Sequence, residues 1–192
     1  MDQGVAIKKQ SQIKEIFKRF KKNRMAVFGL VVIILLILCA LFPSAIAPYG
    51  YDDQNLSEQF IAPCLAHPFG TDNFGRDILS RVIYGCRISL LIGLISVSIS
   101  CVLGVILGCI AGYYGNKVDN LVMRFIDIML AIPQMLLAMS IVAALGIGTE
   151  NLILAIAIGS VPGYARIVRG SILSVKGQEY IEAARSIGAS DF

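Results

Sequence analysis

The sequence predicts an all-α, polytopic membrane protein, a bundle with four transmembrane helices. Three observations predict it. Mean hydropathy is +0.74, and only 16% of the 192 residues are charged, against roughly 25% in a soluble domain. Several apolar runs reach the roughly 20 residues that cross a bilayer. Basic residues crowd the segments that would then face the cytoplasm, as the positive-inside rule requires. A soluble globule with a large core is excluded.

The first 24 residues are a polar, basic tail. It holds eight of the 17 Lys and Arg residues: Lys8, Lys9, Lys14, Lys18, Arg19, Lys21, Lys22 and Arg24. Gln12 to Phe20 has helical spacing, with Ile13, Ile16, Phe17 and Phe20 on one face and lysines on the other, the pattern of a helix lying at a membrane surface. Nothing aromatic or Gly-rich accompanies the charge in the way a nucleic-acid surface requires, so a nucleic-acid partner is not expected. The tail and the run that follows are too long for a cleaved signal peptide. Residues 25–47 are the first span, 23 positions without a charge, closed by Pro43 and Pro48.

Residues 48–87 form the one long polar segment, an extracytoplasmic loop. Its acids are Asp52, Asp53, Glu58, Asp72 and Asp77. At its centre lies HPFGTDNFGRD, His67 to Asp77, punctuated as turns. Thr71 or Asp72 is a candidate cap for a helix beginning near Phe74. His67 beside Asp72 or Asp77 suggests catalysis only if a nucleophile is at hand, and none can be nominated, so no catalytic residue is expected. His67 is the single histidine, which disfavours a metal site. Cys39, Cys101 and Cys109 lie in apolar runs as small packing residues. Cys64 and Cys86 lie outside them, are free to pair in principle, and match no metal-ligand spacing.

Residues 88–192 are the core. The second span, about 88–112, carries Ser96, Ser100, Gly104, Gly108 and Gly112 at four-residue intervals. That interval places all five on one helical stripe, where small side chains allow a second helix to approach closely. A further possibility is that such a stripe lets helices slide. A short polar turn, 113–120, leads to the third span, about 121–145. It opens with Arg124 and Asp127 at i,i+3, expected as a mutual ion pair near the cytoplasmic interface with Arg124 snorkelling. Pro133 is expected to kink this helix. The fourth span, about 151–168, is loosened by Gly159, Pro162 and Gly163 and closed by Arg166 and Arg169.

The last stretch, 176–192, is amphipathic. A helix from about Lys176 to Ile187 would pair Glu182 with Arg185 on its wet side and gather Tyr180, Ala183, Ala184 and Ile187 on an apolar face. Gly188 reads as the residue past its end, and Ser190–Asp191 as the cap of a following helix. The charge distribution puts this element, and the N-terminus, in the cytoplasm.

Four stretches carry a family resemblance: KRFKKNRMAVFGL with IAPYGYDDQNL; HPFGTDNFGRDILSRVIYGCRISLLIG; GCIAGYYGNKVDNLVMRFIDIMLAIPQMLLA; and PGYARIVRGSILSVKGQEYIEAARSIGASD. Together they resemble the inner-membrane permease subunits of binding-protein-dependent ABC importers, on the side of the C-type permease of the dipeptide, oligopeptide and nickel class. The likeness runs over nearly the whole chain. It implies a MetI-like bundle of six transmembrane helices, four of them in this chain, in a bacterial-type cytoplasmic membrane. It implies four partners besides lipid: a second permease subunit, two cytoplasmic ATPase subunits and an extracytoplasmic solute-binding protein. The chain would be a non-enzymatic subunit with no cofactor of its own, ATP being used by the ATPases; no GxxxxGK[ST] phosphate loop occurs in it. Glu182, Ala183, Ala184 and Gly188 match the EAA coupling loop. There the glutamate orients the ATPase surface, the alanines allow close approach and the glycine makes the turn. The sequence departs from the family in stopping at Phe192 within that loop, expected as a truncation, and in placing Ser160–Val161 where relatives often carry Trp. The competing readings are an ion-coupled secondary transporter using Arg124 and Asp127, and a membrane scaffold that does not transport. The residues do not distinguish peptide, nickel or glutathione as the solute.

Overall fold

The computed structural model describes Phe17 and residues 20–189, with Arg185 as backbone only. The expected surface helix from Gln12 to Phe20 falls largely outside the described residues. So do the Glu182–Arg185 side-chain pair and the Ser190–Asp191 cap. Among the described residues the regular structure is helical, apart from one isolated bridge between Thr71 and Asp77. The chain divides into two compact units at Ser89.

In the first unit, helix α1 spans Arg24–Leu41. It starts where the Asn23 side chain accepts the N–H groups of Met25 and Ala26, at 3.1 and 3.2 Å, satisfying two of the donors a helix start leaves free. Most of its apolar side chains are exposed on every side, as suits a helix whose solvent is lipid. A one-turn helix, Pro43–Ile46, follows with Pro at its first position. The polar loop then leads into helix α2, Ile78–Tyr114. This helix passes from the first unit into the second. At 37 residues it is about 55 Å long, more than the roughly 30 Å of a hydrocarbon core.

In the second unit the expected eight-residue turn after α2 contracts to a point. Helix α3, Asn116–Ala131, begins directly after Gly115. Gly115 and Asn116 both take positive φ, 67° and 45°, and two left-handed residues suffice to reverse the chain. The polar residues read as turn are therefore the first turn of α3, where Asp119 meets the positive end of the helix. Helix α4, Gln134–Leu145, lies at 88° to α3 across Ile132 and Pro133. The expected kink is thus a full break. Proline offers no N–H and forces the residue before it out of the helical region; Ile132 sits at φ −93°, ψ 125°.

Helix α5, Thr149–Lys176, runs unbroken through Gly159, Pro162 and Gly163, which were expected to loosen it. It extends two turns beyond the expected end of the span. Helix α6, Glu179–Ser186, follows Gly177. Among the described residues three helices are long and apolar enough to cross a membrane, and four spans result if the bent pair α3–α4 is one.

Helix direction supports that count. The close contacts between α2 and α5 advance together along both helices: Ser96 to Ile153, Ser100 to Ala157, Gly108 to Ala165, Gly112 to Ile172. The two helices are parallel. The α3–α4 pair must therefore carry the chain back across, and its contacts run the opposite way: Asp119 to Arg169, Asp127 to Arg166, Gln134 to Ser160.

Candidate functional site

The five small residues of α2 all lie against α5. Ser96 and Ser100 are buried, and their hydroxyls donate to the carbonyls of Ile153 and Ala157 at 3.3 and 2.9 Å. In a helix-rich apolar unit these are polar bonds to otherwise saturated backbone, and they fix the register. Below them the three glycines bring backbone to backbone. A Cβ on Gly104 would stand 2.4 Å from Tyr164 Cβ, one on Gly108 2.6 Å from the Ala165 carbonyl, and one on Gly112 2.9 Å from Ile172 Cβ. Ala155, Ala157 and Ala165 answer from α5 with no exposed surface. The small residues of α2 thus let the α5 backbone, with the Cβ atoms of Tyr164, Val168 and Ile172, approach closely over four turns.

Toward the end of α5 the chain adds polar fastenings. Arg169 grips Asp119 in a bidentate pair, Nη2 to Oδ2 at 2.6 Å, with the two side chains 29% and 16% exposed. One turn earlier Arg166 Nη2 meets Asp127 Oδ1 at 2.7 Å. Lys176 Nζ donates to the Tyr113 carbonyl at 2.8 Å, satisfying one of the orphan acceptors at the end of α2. The expected Arg124–Asp127 pair is corrected here: Asp127 turns to Arg166 on the neighbouring helix. Two residues at i,i+3 on α3 share a face, but a guanidinium from α5 reaches the carboxylate, and Arg124 makes no ion pair among the described residues. Arg166, Arg169 and Asp119 were not foreseen as partners. The available signal was their spacing: Asp119 and Asp127 repeat at eight residues on α3, and Arg166 and Arg169 repeat at three on α5, one face each.

Ser160 ties α5 to the start of α4. Its hydroxyl accepts from Gln134 Nε2 at 3.1 Å and donates to the Ile156 carbonyl at 2.9 Å.

Helix α6 hangs from this fastened end. Its N–H groups at Ile181 and Glu182 bond to the Gln178 carbonyl, and Glu179 and Glu182 occupy the first turn, where carboxylates are favoured. Gly188 has φ +82°. The Ala189 N–H returns to the Ala184 carbonyl, the six-to-one bond of a Schellman end. The helix is thus shorter than expected, since Gly177 interrupts it before Glu179. Ile181 faces a cleft of about 340 Å³ with Cys109, Tyr113, Val168, Ile172 and Val175. Tyr180 and Ile187 are 62% and 86% exposed, and Glu182 and Ala183 are exposed beside them, with Ala184 half-buried. The four motif residues therefore sit together on one short helix and its turn, with apolar side chains uncovered.

The polar loop of the first unit is a separate construction. Asp77, not Thr71 or Asp72, caps α2: its Oδ2 accepts both the N–H and the hydroxyl of Ser80 at 2.7 Å. Asp72 instead holds the turn before it, accepting N–H groups of Phe74 and Arg76 at 2.8 and 3.0 Å and the guanidiniums of Arg76 and Arg81. His67 stacks on Tyr49, 4.9 Å between centroids. Its Nδ1 lies 3.0 Å from Asp77 Oδ1 and its Nε2 3.6 Å from Glu58. Ser80, His67 and Asp77 are the residue types of a hydrolytic triad, but the connection is wrong for one. The serine donates to the aspartate rather than to the histidine, has no exposed surface, and accepts the Tyr49 N–H. A nucleophile needs the base on its own hydroxyl and an open approach.

Charge sets how this loop answers acid. Burial pushes the Asp72 carboxyl up, but hydrogen bonds from the Arg76 and Phe74 backbone and the Arg76 side chain, with the Arg76 charge, outweigh it and hold the pKa at about 2. Asp77 is likewise lowered, its burial opposed by the two Ser80 bonds and His67. A carboxyl depressed in the folded state contributes stability above its unfolded pKa and loses it as pH falls through the folded one. The loop is therefore expected to open between about pH 4 and pH 2. Pepsin, which works in that window, should cut the exposed Phe60, Leu65 and Phe69 region increasingly as pH falls. Asp72→Asn should be cut readily already at pH 4, with a shallower pH dependence; identical profiles would refute the assignment.

Comparison with known proteins bears on all of this. Residues 104–192 match the family described as binding-protein-dependent transport system inner membrane component. Residues 11–68 match the N-terminal TM domain of oligopeptide transport permease C. A dipeptide transport system permease protein DppC from Alkalihalophilus pseudofirmus is 44% identical over 97% of this chain and 60% of its own length. A di/tripeptide transport system permease protein DppC from Pseudomonas aeruginosa is 44% identical over 93% and 61%. A glutathione transport system permease protein GsiD from Escherichia coli O6:K15:H31 is 47% identical over 92% and 59%. The chain spans about three fifths of the length of the curated relatives it matches. The first family match takes in the glycine end of α2 and helices α3 to α6, and the second covers α1 and the start of the polar loop; over these stretches the chain is similar to the inner-membrane components of binding-protein-dependent transport systems.

Proposed function

We propose that this chain is a pore-forming permease subunit of an ATP-driven importer, moving peptides or a related small solute across a bacterial-type cytoplasmic membrane. It works with a second permease subunit, two cytoplasmic ATPases that consume the ATP, and an extracytoplasmic solute-binding protein. It binds no cofactor itself. The N-terminus lies in the cytoplasm, as the basic tail before Met25 and the bases at the end of α5 indicate.

The observation that carries this reading is α6. A short helix with Tyr180 and Ile187 uncovered, Glu182 at its start and a left-handed glycine at its end follows directly from a transmembrane helix fastened to two neighbours. Closure of the ATPases against this face would move α5 through Gly177. The peptide and glutathione transport named for the relatives supports the solute class.

The test is the double variant Glu182→Lys, Gly188→Val in the assembled importer. A β-branched residue at φ +82° costs about 1–2 kcal/mol, and the reversed charge opposes the helix start. ATP-dependent uptake of a dipeptide in proteoliposomes should fall by roughly tenfold or more, while membrane insertion is unchanged. Uptake at the wild-type rate would refute the coupling role.

A further inference from the structure

Arg124 is a charge the bundle does not use. It lies in the third turn of α3, about 13 Å along the helix from the Gly115 reversal. Asp119 and Asp127 flank it on the same helix, and each is taken by an arginine of α5. Each of those pairs is neutral in itself. Among the described residues Arg124 has neither ion-pair nor hydrogen-bond partner. The surrounding surface is concave and mixed in polarity, about 530 Å³, formed by Asn120, Met123, Arg124, Asp127 and Ile128.

An unpaired guanidinium within a transmembrane segment is costly. Such residues face a water-filled path or find an anion there. Chemistry narrows the anion. Guanidinium matches a carboxylate in a planar, two-pronged geometry. Asn120, one turn away, adds an amide able to donate to the same group or accept from a peptide N–H. Asp127 is 61% exposed although paired, so an ammonium group can approach its free oxygen. Amide, positive and negative groups, Asn120, Arg124 and Asp127, follow one another along about two turns of α3.

We infer that Arg124 meets the carboxylate of the transported solute during passage, with Asn120 and Asp127 beside it. The site thus suits a small zwitterion such as a peptide. This rests on the importer reading above, and deepens it by naming the contact.

The test uses the whole importer, with partner permease and ATPases, in nanodiscs. Saturation-transfer NMR follows glycylleucine and its C-terminal amide, each without the binding protein. Wild type should bind the acid about tenfold better than the amide, the value of one charge-assisted contact. Arg124→Gln should remove that preference, and Arg124→Lys should restore part of it, with ATP hydrolysis reporting an intact complex in each. Equal binding of acid and amide by wild type would overturn the inference. So would an acid preference that survives in Arg124→Gln, which would place the guanidinium against a partner subunit. An acid preference that disappears when phosphatidylglycerol replaces phosphatidylcholine in the disc would assign Arg124 to lipid headgroups and overturn it too. The importer reading fails separately, if wild-type proteoliposomes supplied with binding protein and ATP take up no glycylleucine.

Discussion

Gly108→Ala should lower the melting temperature of the purified permease by several degrees, and Gly93→Ala on the same helix should not. The two glycines differ in what a methyl group meets. At Gly108 it would lie 2.6 Å from the Ala165 carbonyl, 2.8 Å from Val168 Cβ and 3.1 Å from the Arg169 nitrogen; at Gly93 nothing lies within 4 Å. Two of the Gly108 neighbours are backbone atoms of α5, which cannot rotate away. The helices must separate, at a cost of about 1–3 kcal/mol for overpacking. The gain from replacing helical glycine with alanine, about 0.5–1 kcal/mol, is smaller and acts alone at Gly93. Separation would also lengthen the hydroxyl bonds from Ser96 and Ser100 to the α5 carbonyls, which tolerate little stretching. Thermal denaturation followed by circular dichroism in detergent reads both variants. Equal melting temperatures for Gly108→Ala and wild type would show that α2 and α5 do not touch at this range.

That stripe was legible because its period is local. Four-residue spacing puts five small side chains on one face whatever the surroundings, so the sequence needs no partner to reveal it. The spans were legible for the same reason, from the length and composition of each run. What remained hidden was non-local. Asp127 has a cation three residues away on its own helix, and proximity along the chain favoured Arg124; the actual partner, Arg166, comes from 39 positions further on. The network of Tyr49, His67, Asp77 and Ser80 likewise joins residues up to 31 positions apart. Its cap at Asp77 was hidden because Thr71 and Asp72 offer the same chemistry, and only the turn at Gly75, φ 69°, decides which carboxylate reaches the helix. Pro133 signalled a disruption but not its size. An 88° break depends on both halves finding contacts on α5, and no local rule contains that. At the last helix the residues were readable, whereas the exposure of Tyr180 and Ile187 goes with Ile181 lining the cleft between α2 and α5.

Asp119→Asn should have the larger functional effect of the two changes, because of where Arg169 stands. Its backbone closes the glycine stripe: the Arg169 nitrogen is 3.1 Å from the Cβ position of Gly108, and its carbonyl is 3.2 Å from that of Gly112. Its guanidinium reaches α3 through Asp119. One residue thus joins α5 to both neighbours, two turns before α5 gives way to α6. Removing the carboxylate leaves a partly buried cation without its partner. The loss for a fully buried pair is roughly 3–5 kcal/mol; partial exposure of both side chains lowers the expectation here to about 2–3 kcal/mol. Arg169→Lys should recover little, since an ammonium cannot reproduce the two-pronged contact. The exchange Asp119→Arg with Arg169→Asp should recover part of the stability, and the coupling energy from the complete cycle isolates the pair from the packing around it. In the importer proposed above the same single change should separate two readouts. ATP hydrolysis depends on the ATPases and should continue, while uptake depends on α5 carrying α3 with it and should fall. Uptake and hydrolysis falling in equal proportion would mean that the pair only holds the subunit together. A fall in uptake alone would mean that the force applied at α6 reaches the rest of the bundle through Arg169.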